Sequence, residues 1–195
     1  MGKTIKLGLV LLLVCAISGG VLSAVYGVTS KIIDERKAKE QAQSMRAVLP
    51  AGTDFVALTP EEVAEYQADA KFKEIDAIYT GSADGEVKGL VARVAPTGYG
   101  GKITLLVGIG TDLNVAGVIV VSHTETAGLG SEVSREPWLA QFVGKGASGA
   151  FAVNKDGGEI QAVSSATISS RAVVRGVNAV RDLAATTGIL GGASR

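Results

Sequence analysis

The fold class predicted is α+β: an antiparallel sheet with packed helices, preceded by one amino-terminal transmembrane helix. Three observations carry it. An uncharged apolar run stands near the amino terminus, four short β-type runs follow one another between residues 75 and 121, and an amphipathic helical stretch closes the chain. At 195 residues the chain has room for one domain and an appendage.

Leu7 to Ser30 is 24 residues without a charge, flanked by Lys3 and Lys6 on one side and Lys31 on the other. As a helix it spans roughly 36 Å, enough to cross a hydrocarbon core of about 30 Å. A cleaved signal peptide has a shorter apolar region, so residues 1–30 read as a retained anchor. A lipoprotein signal needs a small residue before Cys15, where Val14 stands, and Cys15 reads as an apolar filler. Basic residues on both flanks leave the positive-inside count undecided. A short amino-terminal tail before a single span commonly stays in the cytoplasm, so residues 31–195 are expected on the periplasmic or extracellular side of the cell membrane. That outer part keeps 17 of the 19 basic residues against all 19 acidic ones, a formal charge of −2.

Residues 31–58 read as a stalk helix to Val48 and a linker through Pro50. Thr59, Pro60 and Glu62 supply a cap, a first-turn proline and a capping-box glutamate for a short helix toward Tyr66. Strands are predicted at Ile75–Tyr79, Val87–Val94, Ile103–Ile109 and Val115–Val121, joined by turns at Asp84 and Gly85 and at Gly110–Asn114. Arg135–Phe142 reads as a short helix burying Trp138 and Phe142, one turn apart. A second hairpin is expected to pair Ala150–Val153 with Ile160–Val163 around Asp156, Gly157 and Gly158. The last helix is predicted over Ser169–Thr186, with Val173, Val177, Val180 and Ala184 on one face and Gly188 as its stop. The domain is thus expected over 59–188, with a flexible tail over 189–195.

Composition excludes several chemistries. Equal numbers of acidic and basic residues and the lack of a basic block remove the footprint for nucleic acid. One His and one Cys cannot build the His/Cys ligand set of a zinc or iron–sulfur site, so redox chemistry here needs an organic cofactor. A serine hydrolase lacks support, because His123 is the only His and no nucleophile elbow is present.

Three segments are chemically suggestive. Val163–Arg171, VSSATISSR, crowds four Ser and one Thr where helix amides lack partners and the dipole favours anions; it reads as a phosphate site or as a generously provided N-cap. His123–Gly130, HTETAGLG, follows the strongest strand, with Gly128 and Gly130 permitting close backbone approach to a flat ligand and Thr126 available to donate. It fits a glycine-containing strand-to-helix loop equally. Pro96–Lys102, PTGYGGK, carries a glycine-flanked Tyr99 that suits stacking or a hairpin tip.

In order along the chain, an anchor, GYGGKI, ETAGLG, Trp138 with Phe142, NKDGGEI and SSATISSRAV make the sequence resemble a family of FMN-binding subunits. Its members are the G subunit of the Rnf complex, an ion-translocating ferredoxin:NAD oxidoreductase, and the C subunit of the Na⁺-translocating NADH:quinone oxidoreductase. The resemblance covers nearly the whole chain, and the compact length is more like the Rnf member. It implies an FMN-binding domain in which the FMN phosphate is esterified by a flavin transferase to the threonine of an S/T-G-A-T motif. That motif falls on Ser164, Ser165, Ala166 and Thr167, which makes Thr167 the implied site of covalent FMN, with Ser169 beside it. Ser165 stands where the family has glycine, and Ala127 where proline is common. By the same match Thr126, Gly128 and Leu129 approach the isoalloxazine, and Gly98, Tyr99, Gly100 and Gly101 border it.

The implied function is an electron relay without substrate turnover of its own, whose partners are the other membrane, iron–sulfur and flavin subunits of an Rnf complex. One helix forms no ion path, so ion transport would lie in those partners. The quinone reductase or another respiratory chain is the alternative setting, and a flavin-free scaffold the alternative role.

Overall fold

The computed structural model describes residues 2–186 and 188–191. Contacts divide the chain into two units that meet between Ala42 and Gln43. The first is carried by helix α1, Gly2–Val48. Within it Ile5–Gly27 has a mean hydropathy of 2.4, and none of it is buried. Leu7, Leu12, Leu22 and Tyr26 stay at least 70% exposed. An all-apolar helix satisfies its own backbone polar groups while its side chains require an apolar solvent, so this one is long and apolar enough to cross a membrane.

The second unit is a five-stranded antiparallel meander in sequence order. It comprises β1 (Asp54–Ala57), β2 (Ile75–Ala83), β3 (Glu86–Val94), β4 (Ile103–Gly110) and β5 (Val115–His123). Helix α2 (Pro60–Gln67) lies between β1 and β2 and starts on the expected capping box, Glu62 N to Thr59 Oγ1 and Thr59 N to Glu62 Oε2. Two cores flank the sheet, and the alternation of strand side chains sorts residues between them. Leu90, Ala92 and Val94 of β3 and Leu105, Val107 and Ile109 of β4 join Val173, Val177, Val180 and Leu183 of the last helix, α4 (Thr167–Thr186). Val91 and Leu106, of opposite parity, join Met45, Val48 and Leu49 at the end of α1. Covering on both faces is why these strands read as unbroken apolar runs. The close seat of the last turn of α1, which lies within this second unit, depends on glycine, since a Cβ on Gly108 would lie 2.1 Å from the Val48 carbonyl oxygen and one on Gly117 2.7 Å from its Cα.

Several expectations are corrected. The linker within 31–58 contains β1, of whose residues only Phe55 is part-buried, against the core at the end of α1, while the others are exposed and held by pairing with β2, so no alternation betrays the strand. The compact unit already begins at Gln43, because the end of α1 supplies one of its cores. The hairpin 150–153/160–163 does not form. Val153 and Ile160 meet in an isolated parallel bridge, and Asn154–Asp156 is a 3-10 turn closed by Gly157 at φ +84°. Each segment buries only that one residue, too little for a hairpin face, and Gly158 packs where a Cβ would sit 2.0 Å from the Ala152 carbonyl oxygen. The 135–142 helix shortens to α3, Glu136–Leu139. Phe142 is buried and packs edge-on to Trp138 at 5.6 Å, but Trp138 stays half-exposed and donates Nε1–H to the Gln161 carbonyl at 2.7 Å. Ile189–Gly191, expected as flexible tail, forms a 3-10 turn whose Ile189 and Leu190 pack on the main core. Residues 192–195 of that tail lie outside the described residues.

Candidate functional site

α4 begins at Thr167, one residue after the turn Val163–Ala166, which Ala166 N closes on the Val163 carbonyl at 3.0 Å. Ser165 occupies the third position of that turn at φ +65°, the signature of a type II turn, where glycine is the usual residue. The amides of Thr167, Ile168 and Ser169 precede the first helical bond, Ser170 N to the Ala166 carbonyl at 2.9 Å, and give this end its positive polarity. The serines divide their work. Ser170 is buried and caps locally, accepting from Val163 N and donating to the Ala166 carbonyl, both at 3.0 Å. Ser169 is buried and reaches into the next segment, while Ser164 and Ser165 remain exposed.

That next segment holds a residue that sequence reasoning did not single out. Glu125, buried at 8% exposure, accepts Ser169 Oγ–H on Oε2 at 2.8 Å and Gly100 N–H on Oε1 at 3.1 Å. One carboxylate thus ties together the loop after β5, α4 and the loop between β3 and β4. Thr124 adds a bond from Oγ1 to the Gly100 carbonyl at 3.2 Å. Glycine is required around Glu125: a Cβ on Gly98 would lie 2.2 Å from Oε1 and one on Gly130 2.3 Å from Oε2. The bare pattern of Gly98, Gly100 and Gly130 flanking a lone acid was the signal available in the sequence.

The three segments enclose a cleft of ≈ 400 Å³, within the range of small-ligand pockets. Tyr99, Thr126, Leu129, Ser165, Ala166, Thr167 and Ser169 all line it, together with Glu125, Gly130 and Ile168. Gly98, Gly100, Gly128 and Ser164 stand next to lining residues without lining it themselves. Gly128 adopts φ +76° and donates its N–H to Ser131 Oγ at 2.9 Å, a bend that glycine accommodates. The apolar wall is exposed, with Tyr99 at 74%, Ile168 at 52% and Leu129 at 47%. His123, whose buried Nδ1 has no partner, is outside the lining.

The other residue not foreseen is Lys155, whose Nζ donates to Thr167 Oγ1 at 2.9 Å. The failed hairpin explains its position, because the 3-10 turn that replaces the hairpin brings Lys155 to the start of α4. Asp156 beside it accepts from Arg171 Nε at 2.8 Å and Nη2 at 2.6 Å. This pairing holds the Asp156 carboxyl below the usual carboxylate range and raises the Arg171 guanidinium. Among the described residues no group of three or more His, Cys, Asp or Glu is placed to hold a metal ion.

A flat aromatic ligand with a phosphate suits this arrangement: an apolar wall for the ring, a helix amino terminus and a lysine at one end, and hydroxyls between. The FMN-binding domain family matches residues 98–182, which contain every segment of the cleft. The chain is 35% identical over 182 residues to the G subunit of the Na(+)-translocating ferredoxin:NAD(+) oxidoreductase complex of Acetobacterium woodii, covering 89% of this chain and 87% of that one. It is 37% identical over 185 residues to the G subunit of the ion-translocating oxidoreductase complex of Escherichia coli, covering 91% and 89%. The crystal structure of Shewanella oneidensis NqrC aligns over 52% of this chain and 53% of that one, at 27% identity and a TM-score of 0.46. With an FMN-binding domain and such identity along almost its full length, this chain belongs to the family of G subunits of ion-translocating oxidoreductase, or Rnf, complexes.

Proposed function

We propose that the chain is the membrane-anchored flavoprotein of an ion-translocating ferredoxin:NAD oxidoreductase, and that it carries FMN esterified through its phosphate to Thr167. The observation that carries this reading is the position of Thr167: it is the first residue of α4, lines the cleft, and has Lys155 within hydrogen-bonding distance of its hydroxyl. A flavin held there supplies one- and two-electron transfer, and the polypeptide sets its position and exposure. Tyr99, Leu129 and Ile168 bind the ring as an apolar wall; Glu125 keeps the walls in register. The free amides of the first α4 turn hold the phosphate charge. A covalent tether keeps the cofactor on a face of the membrane where free FMN is scarce, which fits a domain on the periplasmic or extracellular side of the anchor.

Substrate turnover is left to partner subunits, among them iron–sulfur and flavin carriers and the multi-span proteins that conduct the ion. Maturation requires a flavin transferase with flavin adenine dinucleotide as donor: the Thr167 hydroxyl oxygen bonds to the flavin-side phosphorus, the pyrophosphate P–O bond breaks with AMP as the leaving group, and the hydroxyl proton is released. The identities of 35% and 37% along nearly the whole chain favour the G subunit over the C subunit of the quinone reductase. The test is co-expression of the full chain with a flavin transferase, followed by denaturing electrophoresis. Wild type is expected to fluoresce as a flavoprotein band and Thr167→Val to be dark. Two dark bands would favour a flavin-free scaffold, and two fluorescent ones would move the attachment elsewhere.

A further inference from the structure

We propose that Lys155 is the phosphate-holding residue of the attachment site, its ammonium pairing with the phosphodiester anion once Thr167 carries flavin. This rests on the assignment of Thr167 above. In the unesterified chain Lys155 Nζ already lies 2.9 Å from Thr167 Oγ1. Esterification removes the hydroxyl proton and weakens that oxygen as an acceptor, while it adds anionic oxygens one bond further out. The ammonium, on a flexible stem, shifts to them as a point charge.

The backbone beneath Lys155 is fixed. Asn154 N donates to the Ile160 carbonyl at 2.7 Å, and Asn154 Oδ1 accepts from Ala162 N at 3.2 Å. Asp156 is clamped to α4 by two bonds from Arg171. The same clamp occupies the one acidic neighbour in the turn, so the Lys155 ammonium has no carboxylate partner among the described residues. A cation held without a counterion beside an esterifiable hydroxyl is suited to an anion that arrives later.

The experiment compares the full chain in detergent, with and without flavin loaded by the transferase, as wild type, Lys155→Met and Lys155→Arg. Lys145→Met, which removes a lysine paired with Glu159 at 3.3 Å, is the control. The readout is the change in unfolding midpoint that loading produces within each variant, which cancels effects common to both forms. Loading is expected to raise the midpoint of wild type, Lys155→Arg and Lys145→Met by roughly 2–4 °C more than that of Lys155→Met. That excess should shrink in about 1 M salt, as a phosphate–ammonium pair requires and a packing effect does not. Equal loading shifts in wild type and Lys155→Met overturn the assignment of Lys155 alone. A wild-type chain that takes up no flavin overturns the Thr167 reading, and this inference with it.

Discussion

Replacing Ser165 by glycine should stabilise the protein, an unusual direction for a substitution to glycine. Ser165 sits at φ +65°, where an L-residue with a Cβ is strained by roughly 1–2 kcal/mol. Its side chain is exposed and makes no hydrogen bond among the described residues, so little is lost with it. Glycine removes the strain but gives the unfolded chain more freedom, which returns about 0.5–1 kcal/mol. The difference is a net gain of about 0.5–1 kcal/mol, or about 2 °C in midpoint for a unit of this size. Valine, β-branched, fits this region worse than serine and should lower the midpoint by a similar amount or more. The assay is thermal unfolding of the flavin-free full chain followed by the fluorescence of Trp138, the only tryptophan, whose indole is bonded to Gln161 four residues before the site. The expected order is Gly above Ser above Val. If Ser165→Gly lies below wild type, the turn does not demand positive φ and the reasoning fails.

Other expectations follow from the same geometry. Glu125→Ala strips the acceptor from Gly100 N–H and Ser169 Oγ–H and should cost about 2–4 kcal/mol in denaturant unfolding. Gly130→Ala drives a Cβ against Glu125 and should cost about 1–3 kcal/mol; the double variant with Glu125→Ala should cost less than the sum of the two single variants, as coupled neighbours do. Gly108→Ala, pressed on the Val48 carbonyl, should destabilise by a similar amount and speed hydrogen exchange at Met45–Leu49. The depressed Asp156 carboxyl contributes order above the ordinary carboxylate range, and that contribution is lost as pH falls through its lowered folded value. Protection of the amides over 154–160, taken relative to the intrinsic exchange rate at each pH, should therefore fall modestly under acid in wild type and show no such step in Asp156→Asn.

The elements most legible in the sequence were those whose burial imposes a period. Val173, Val177, Val180 and Ala184 marked α4, the runs of β3 and β4 marked a sheet, and the Thr59–Glu62 box marked α2. β1 escaped because backbone pairing rather than burial holds Asp54–Ala57. The second hairpin misled because Asp156, Gly157 and Gly158 have turn chemistry in common with a hairpin, while the flanking segments have only Val153 and Ile160 to bury. The three cleft segments were visible as motifs, yet Glu125 and Lys155 were not visible as the residues that join them. Their roles arise from contacts 25, 44 and 12 residues away along the chain, which local pattern does not encode.

The central claim, a flavin esterified to Thr167, is tested most directly by mass spectrometry of the tryptic peptide Asp156–Arg171 from the transferase-matured full chain. That peptide contains Ser164, Ser165, Thr167, Ser169 and Ser170, so fragmentation can distinguish every hydroxyl at the start of α4. The account predicts an FMN-sized addition on Thr167 and nowhere else in the peptide. An unmodified peptide from a chain matured beside a flavinylated control protein, or an addition on one of the serines, would contradict it.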